Sequence, residues 1–101
     1  MQPLRSFDDL SPGQVFDFGA FAMTEAEILD FARRYDPQPF HTDPDRARTG
    51  PFGGLIASGL HTQAALFGHV IRTGWVEQVS LGGTEQVVRW PAPVRPGDAI
   101  G

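Results

Sequence analysis

A chain of 101 residues with net charge −4 and no cysteine makes one domain at most, with a modest core. Disulfides, thiolate catalysis and cysteine-based zinc sites are excluded, and eight scattered arginines without a lysine form no basic stripe for nucleic acid. The N-terminus lacks the apolar core of a signal peptide, and no apolar run approaches the roughly 18 residues of a membrane span, so a cytoplasmic protein with no membrane partner is expected.

Residues 7–13 read as a turn entering a strand. Val15–Phe18 and Phe21–Met23 are apolar and aromatic around Gly19, which predicts one bent strand or hairpin-like extended segment with Gly19 at a bulge. Thr24 and Glu27 have the spacing of a capping box. The helix they open carries Ile28, Leu29, Phe31, Ala32 and Tyr35 at helical spacing, and Pro37 stops it by Asp36. Asp43-Pro44 is a second N-cap with proline at the first helical position, predicting a short helix to about Arg48.

Residues 49–54 are a glycine-rich loop. A longer helix follows, roughly Ala57 to Arg72, with Gly74 just past its end. Its apolar residues wrap most of its circumference, as for a central helix covered by a curved sheet. Beyond it, Trp75–Leu81 and Thr84–Trp90 read as strands joined by a Gly82-Gly83 hairpin turn. Residues 91–98 form a turn, and residues 98–101 begin another strand. So few strands would leave long open edges. The expectation is one domain over residues 1–101 that lacks C-terminal strands or borrows them from a partner.

Asp36-Pro37-Gln38-Pro39-Phe40-His41 carries the chemistry. A carboxylate stands five positions before an imidazole, and the two prolines keep Asp36 and Gln38 out of regular helix and stiffen the path. A pre-positioned acid and base suit proton transfer. The plain alternative is a proline-rich connector with a solvated Asp and His. No His or Asp pair has metal-ligand spacing within one helix, so no metal is expected from His41, Asp43, His61 and His69. Ser58 lacks a nucleophile elbow and reads as a helix N-cap or polar lining residue. Gly53-Gly54 is not a dinucleotide fingerprint, and Arg89 and Trp90 read as strand residues on opposite faces.

The order Asp36-x-Gln38-Pro39-Phe40-His41, then residues 52–59 (Phe-Gly-Gly-Leu-Ile-Ala-Ser-Gly) opening a long helix, then Val94-Arg95-Pro96-Gly97-Asp98, resembles the MaoC-like dehydratases. These are R-specific enoyl-CoA hydratases, and the resemblance runs from about Phe7 to Gly101. It implies an α+β hot-dog fold, with a long central helix wrapped by an antiparallel sheet, here without the C-terminal strands. It also implies a homodimer, an acyl-CoA thioester substrate, and no cofactor beyond the coenzyme A of that substrate. By position, Asp36 and His41 match the catalytic pair, and Gly59 matches the glycine whose backbone N–H faces the thioester oxygen. Gln38 and Ser58 would line the substrate site.

Two departures stand out. Gln38 replaces the family's common Asn, and Phe67 replaces a supporting serine of some members, which implies a changed acyl pocket. The expected reaction is water addition to, or removal from, an enoyl-CoA. The rival readings are thioester hydrolysis and a non-catalytic acyl-thioester-binding module.

Overall fold

The computed structural model describes residues 2–101. Four helices order the chain: α1 (Glu25–Tyr35), α2 (Pro39–Thr42), α3 (Pro44–Arg48) and α4 (Gly59–Arg72). A single 3₁₀ turn at Phe7–Asp9 precedes them, closed by its own capping box from Ser6 and Asp9.

The helix boundaries follow from local chemistry. The Thr24 side chain accepts from Glu27 N–H while the Glu27 carboxylate accepts from Thr24 N–H, at 3.1 and 3.0 Å. Such a cap stabilises a helix start by about 1 kcal/mol. Helix α1 ends at Asp36, whose φ of −154° already departs from the helix. Asp43 caps α3 by accepting from the N–H groups of Asp45 and Arg46. Gly74 takes φ +78° directly after α4, a conformation that penalises residues with a Cβ.

The core is small. Met23, Ile28, Ala47, Leu55 and Ala57 form its buried cluster, flanked by Phe21, Phe40, Val94 and Ile100. Single backbone bonds stitch distant segments to it. Ile56 N–H donates to Phe40, Ala57 N–H to Val94 and Gly97 N–H to Met23, at 3.0, 2.8 and 2.9 Å.

The expected antiparallel sheet is not formed. Among the described residues the one β pairing is the isolated antiparallel bridge between Phe21 and Ile100. An isolated strand cannot satisfy its own backbone, so β propensity without a ladder partner yields no sheet. The predicted strand Trp75–Leu81 coils into consecutive turns, with Glu77 N–H on Gly74 and Val79 and Ser80 N–H on Val76. Trp75 is held there by packing on Phe16 and Phe18, at centroid distances of 4.5 and 5.0 Å.

The segment Thr84–Trp90 also makes no ladder, so Gly82-Gly83 joins no hairpin. Side chains hold that segment instead. Gln63 Nε2 donates to Gln86 Oε1 at 2.8 Å and Trp90 Nε1 donates to the Gly59 carbonyl at 2.9 Å. Gly59 and Gln63 are one turn apart on α4, so the segment runs antiparallel along that helix. Gly19 is not a bulge. Its N–H closes a turn on the Asp17 carboxylate at 2.9 Å.

The wrapped central helix is likewise corrected. Leu60, Phe67 and Ile71 on α4 are 55, 58 and 40% exposed. The radius of gyration, 16.0 Å, exceeds the value of about 13 Å for a compact chain of this length. Without a sheet, that stripe stays about half exposed.

Candidate active site

The carboxylate of Asp36 sits where three chain segments meet. Asp36 caps the C-terminus of α1, donating its N–H to Ala32 at 2.9 Å, and Pro37 prevents further helix. Gln38 is extended and precedes α2, with Pro39 at its first position. One turn of helix then presents His41. This short helix was not expected from the sequence, which suggested only a stiff loop.

Gln38 Nε2 donates to Asp36 Oδ1 at 2.7 Å, and Ser58 Oγ donates to Oδ2 at 2.7 Å. His41 Nε2 lies 3.3 Å from the same Oδ2. These neighbours hold the Asp36 carboxyl below its usual range. The Gln38 amide contributes most, burial opposes it, and Ser58 and His41 add to the lowering.

Ser58 occupies the N-cap position of α4, yet its side chain caps no backbone N–H. A serine there ordinarily accepts from the second or third helical N–H. Here the hydroxyl is turned to the carboxylate, and the residue is 1% exposed. A local rule is broken at the point where the site is built.

His41 is 5% exposed, and its Nδ1 lies 2.8 Å from the Ile56 carbonyl. A carbonyl only accepts, so Nδ1 carries the proton of that bond. The tautomer directs Nε2 at Asp36. With Nε2 protonated the two groups form an ion pair; without that proton two lone pairs face each other. At 3.3 Å the Nε2–Oδ2 contact leaves no room for a water between the two groups.

A cavity of about 330 Å³ adjoins the imidazole, lined among others by Phe40, His41, Phe52, Gly59 and Trp90. Asp36, Gln38 and Ser58 are not part of that lining, so His41 is the member of the cluster that meets the cavity. Gly59 is the first residue of α4, and its N–H is one of those a helix leaves without an intrahelical partner. The helix dipole adds partial positive charge at the same place. Arg95 Nη2 donates to the Phe52 carbonyl at 2.6 Å and ties the Pro-Gly turn to the cavity wall.

The structure thus brings Asp36, Gln38, His41 and Ser58 into one hydrogen-bonded cluster, with Gly59 on the adjoining cavity. A family model described as a MaoC like domain matches residues 8–101. The chain belongs to the MaoC-like family.

Similar proteins include a solved MaoC-like dehydratase from Rhodospirillum rubrum, with TM-score 0.77 and 39% identity, over 92% of this chain and 64% of that one. The protein named "Uncharacterized protein YdeM" from Bacillus subtilis is 35% identical over 94 residues, covering 92% of this chain and 67% of that protein. The "3-hydroxyacyl-thioester dehydratase Z" of Mycobacterium tuberculosis is 37% identical over 81 residues, 77% of this chain and 54% of that protein. The MaoC-like chain therefore spans about half the length of the mycobacterial relative.

Sequence reasoning missed two participants. The Ile56 carbonyl, which sets the His41 tautomer, carries no side-chain signal. Trp90 was read as a strand residue, yet it lies on the Gly59 carbonyl. Its aromatic character one position before a proline was the one available clue. His61 and His69 join no ligand cluster among the described residues. His61 stacks on Phe31 at 4.6 Å, and His69 Nε2 donates to the Phe18 carbonyl at 2.8 Å.

No helix among the described residues is long and apolar enough to cross a membrane.

Proposed function

We propose that this MaoC-like chain carries the site of a hydro-lyase that adds water across the 2,3 double bond of an enoyl thioester, or removes it from a 3-hydroxyacyl thioester. The observation that carries the reading is the Asp36–His41 pair, 3.3 Å apart, braced by Gln38 and Ser58 beside the cavity at Gly59. Membership of the MaoC-like family and the name of the mycobacterial relative support the same reaction class.

In the hydration direction, water loses a proton to the pair as its oxygen bonds to C3. Electron density moves to the thioester oxygen, and C2 then takes a proton back from the pair. The neighbours that hold the Asp36 carboxyl low keep it ionised, 3.3 Å from His41 Nε2, where it orients the ring. The Gly59 N–H and the helix dipole stabilise the enolate oxygen. Coenzyme A enters as part of the substrate, and no separate cofactor takes part.

The test is hydration of crotonyl-CoA by the purified protein, followed by loss of the conjugated enoyl absorbance. Activity in the wild type that disappears in Asp36→Asn and His41→Ala supports the reading. Undiminished activity in both variants overturns it.

A further inference from the structure

We propose that Trp90 sets the acyl-chain length this site accepts, by standing between the His41 cavity and a second, apolar cavity that would take the distal part of a longer chain. The inference rests on the acyl-thioester reading and deepens it.

The two cavities share a wall. Thr62, Trp90 and residues 91–94 line both the space of about 330 Å³ beside His41 and a neighbouring space of about 500 Å³. The larger space is also lined by Leu66, Val88 and Ile100, apolar residues suited to methylenes, with Gln63, Arg89 and Asp98 at the same lining. Trp90 is the one bulky aromatic residue among the six shared lining residues, which makes its ring the largest side chain at the boundary.

The seat of the indole is specific. Its Nε1 donates to the Gly59 carbonyl at 2.9 Å. A Cβ at position 59 would lie 2.9 Å from Nε1 and 3.0 Å from Cε2, so only a glycine admits the ring in this position. The seat lies beside the helix terminus proposed to receive the thioester oxygen. An acyl chain leaving that point meets the indole at once.

The wall is also one that could open. Trp90 is 51% exposed, and a single neutral hydrogen bond holds it, which is a modest restraint. Pro91 biases the backbone at position 90 toward extended conformations, and rotation of the side chain moves the ring without leaving them.

The experiment compares crotonyl-CoA with 2-decenoyl-CoA as substrates, and butyryl-CoA with decanoyl-CoA as ligands in calorimetry. Wild type, Trp90→Ala and Trp90→Phe are each measured. In Trp90→Ala the long-to-short ratio of kcat/KM, and the matching ratio of affinities, should rise by at least about tenfold, the scale on which apolar pockets discriminate chain size. Trp90→Phe, which keeps most of the ring, should fall between. Trp90→Leu replaces Trp90→Ala should the latter not melt cooperatively.

Ratios equal to wild type in these variants overturn the proposal. If the wild type hydrates neither enoyl thioester but the ligand ratio still shifts, the hydratase reading fails while the role of Trp90 stands. If neither saturated thioester binds the wild type, the role of Trp90 falls as well.

Discussion

The Ser58 hydroxyl donates to Asp36 Oδ2 at 2.7 Å across 22 positions of sequence, joining the start of α4 to the end of α1. A hydrogen bond to a charged group contributes about 1.5–3 kcal/mol. Ser58→Ala should therefore lower kcat/KM by roughly tenfold to a hundredfold while the fold persists. Because Ser58 helps hold the Asp36 carboxyl low, its loss raises that value. The acid limb of the rate profile should move to higher pH, and a pH–rate profile of the variant checks it.

Gln38 is the largest contributor to the lowered Asp36 carboxyl. Gln38→Leu should shift the acid limb further than Ser58→Ala does. Gln38→Asn keeps the amide on a stem one methylene shorter and should recover part of the effect. Identical profiles for Gln38→Leu and wild type would remove Gln38 from the site.

His41 serves the fold as well as the chemistry. His41→Ala should reduce turnover by roughly 10²–10⁴, the usual contribution of a positioned acid or base. It also leaves the Ile56 carbonyl without its partner, a cost of about 1–3 kcal/mol when buried. Chemical denaturation should show that loss. Asp36→Asn should lose comparable activity with a smaller loss of stability, since the Asp36 side chain is 20% exposed and His41 keeps its bond to Ile56.

His61 gives a pH dependence of stability. Its Nδ1 is buried without a hydrogen-bond partner, and burial pushes the imidazole below its ordinary value of 6.5, with the Glu27 charge opposing. A depressed histidine disfavours the protonated form in the folded state. The unfolded chain then binds the proton first, so stability is full above about pH 6.5 and falls as pH drops toward the lowered folded value. Melting temperatures should decline across that window in the wild type. His61→Leu should flatten the decline, and an equal slope in the variant would assign the effect elsewhere.

Gly59→Ala should displace the indole of Trp90, because the new Cβ would lie 2.9 Å from Nε1. The ring is half exposed and has room to move, so the protein should fold. Tryptophan fluorescence in a Trp75→Phe background should shift toward that of a solvated indole. Turnover should fall, since the cavity wall and the proposed oxyanion donor are disturbed together.

What the sequence by itself determined lies within one or two turns of chain. The Thr24–Glu27 capping box, the stop at Asp36, the Asp43-Pro44 start and the left-handed Gly74 all stand in the structure. Each depends on residues a few positions apart, so local chemistry suffices. The family was legible because the motif order from Asp36 to Asp98 is itself a local record.

The strands were misread for the opposite reason. Val15–Phe18, Trp75–Leu81 and Thr84–Trp90 have β-like composition, but a strand exists only when another segment takes its backbone hydrogen bonds. Among the described residues, Phe21 and Ile100 alone found each other. Only the tertiary structure decided that Ser58 serves the carboxylate and not its own helix, that Ile56 sets the His41 tautomer, and that Trp90 rests on Gly59. These contacts span 22, 15 and 31 positions, and no periodicity or spacing reports a partner that far along the chain.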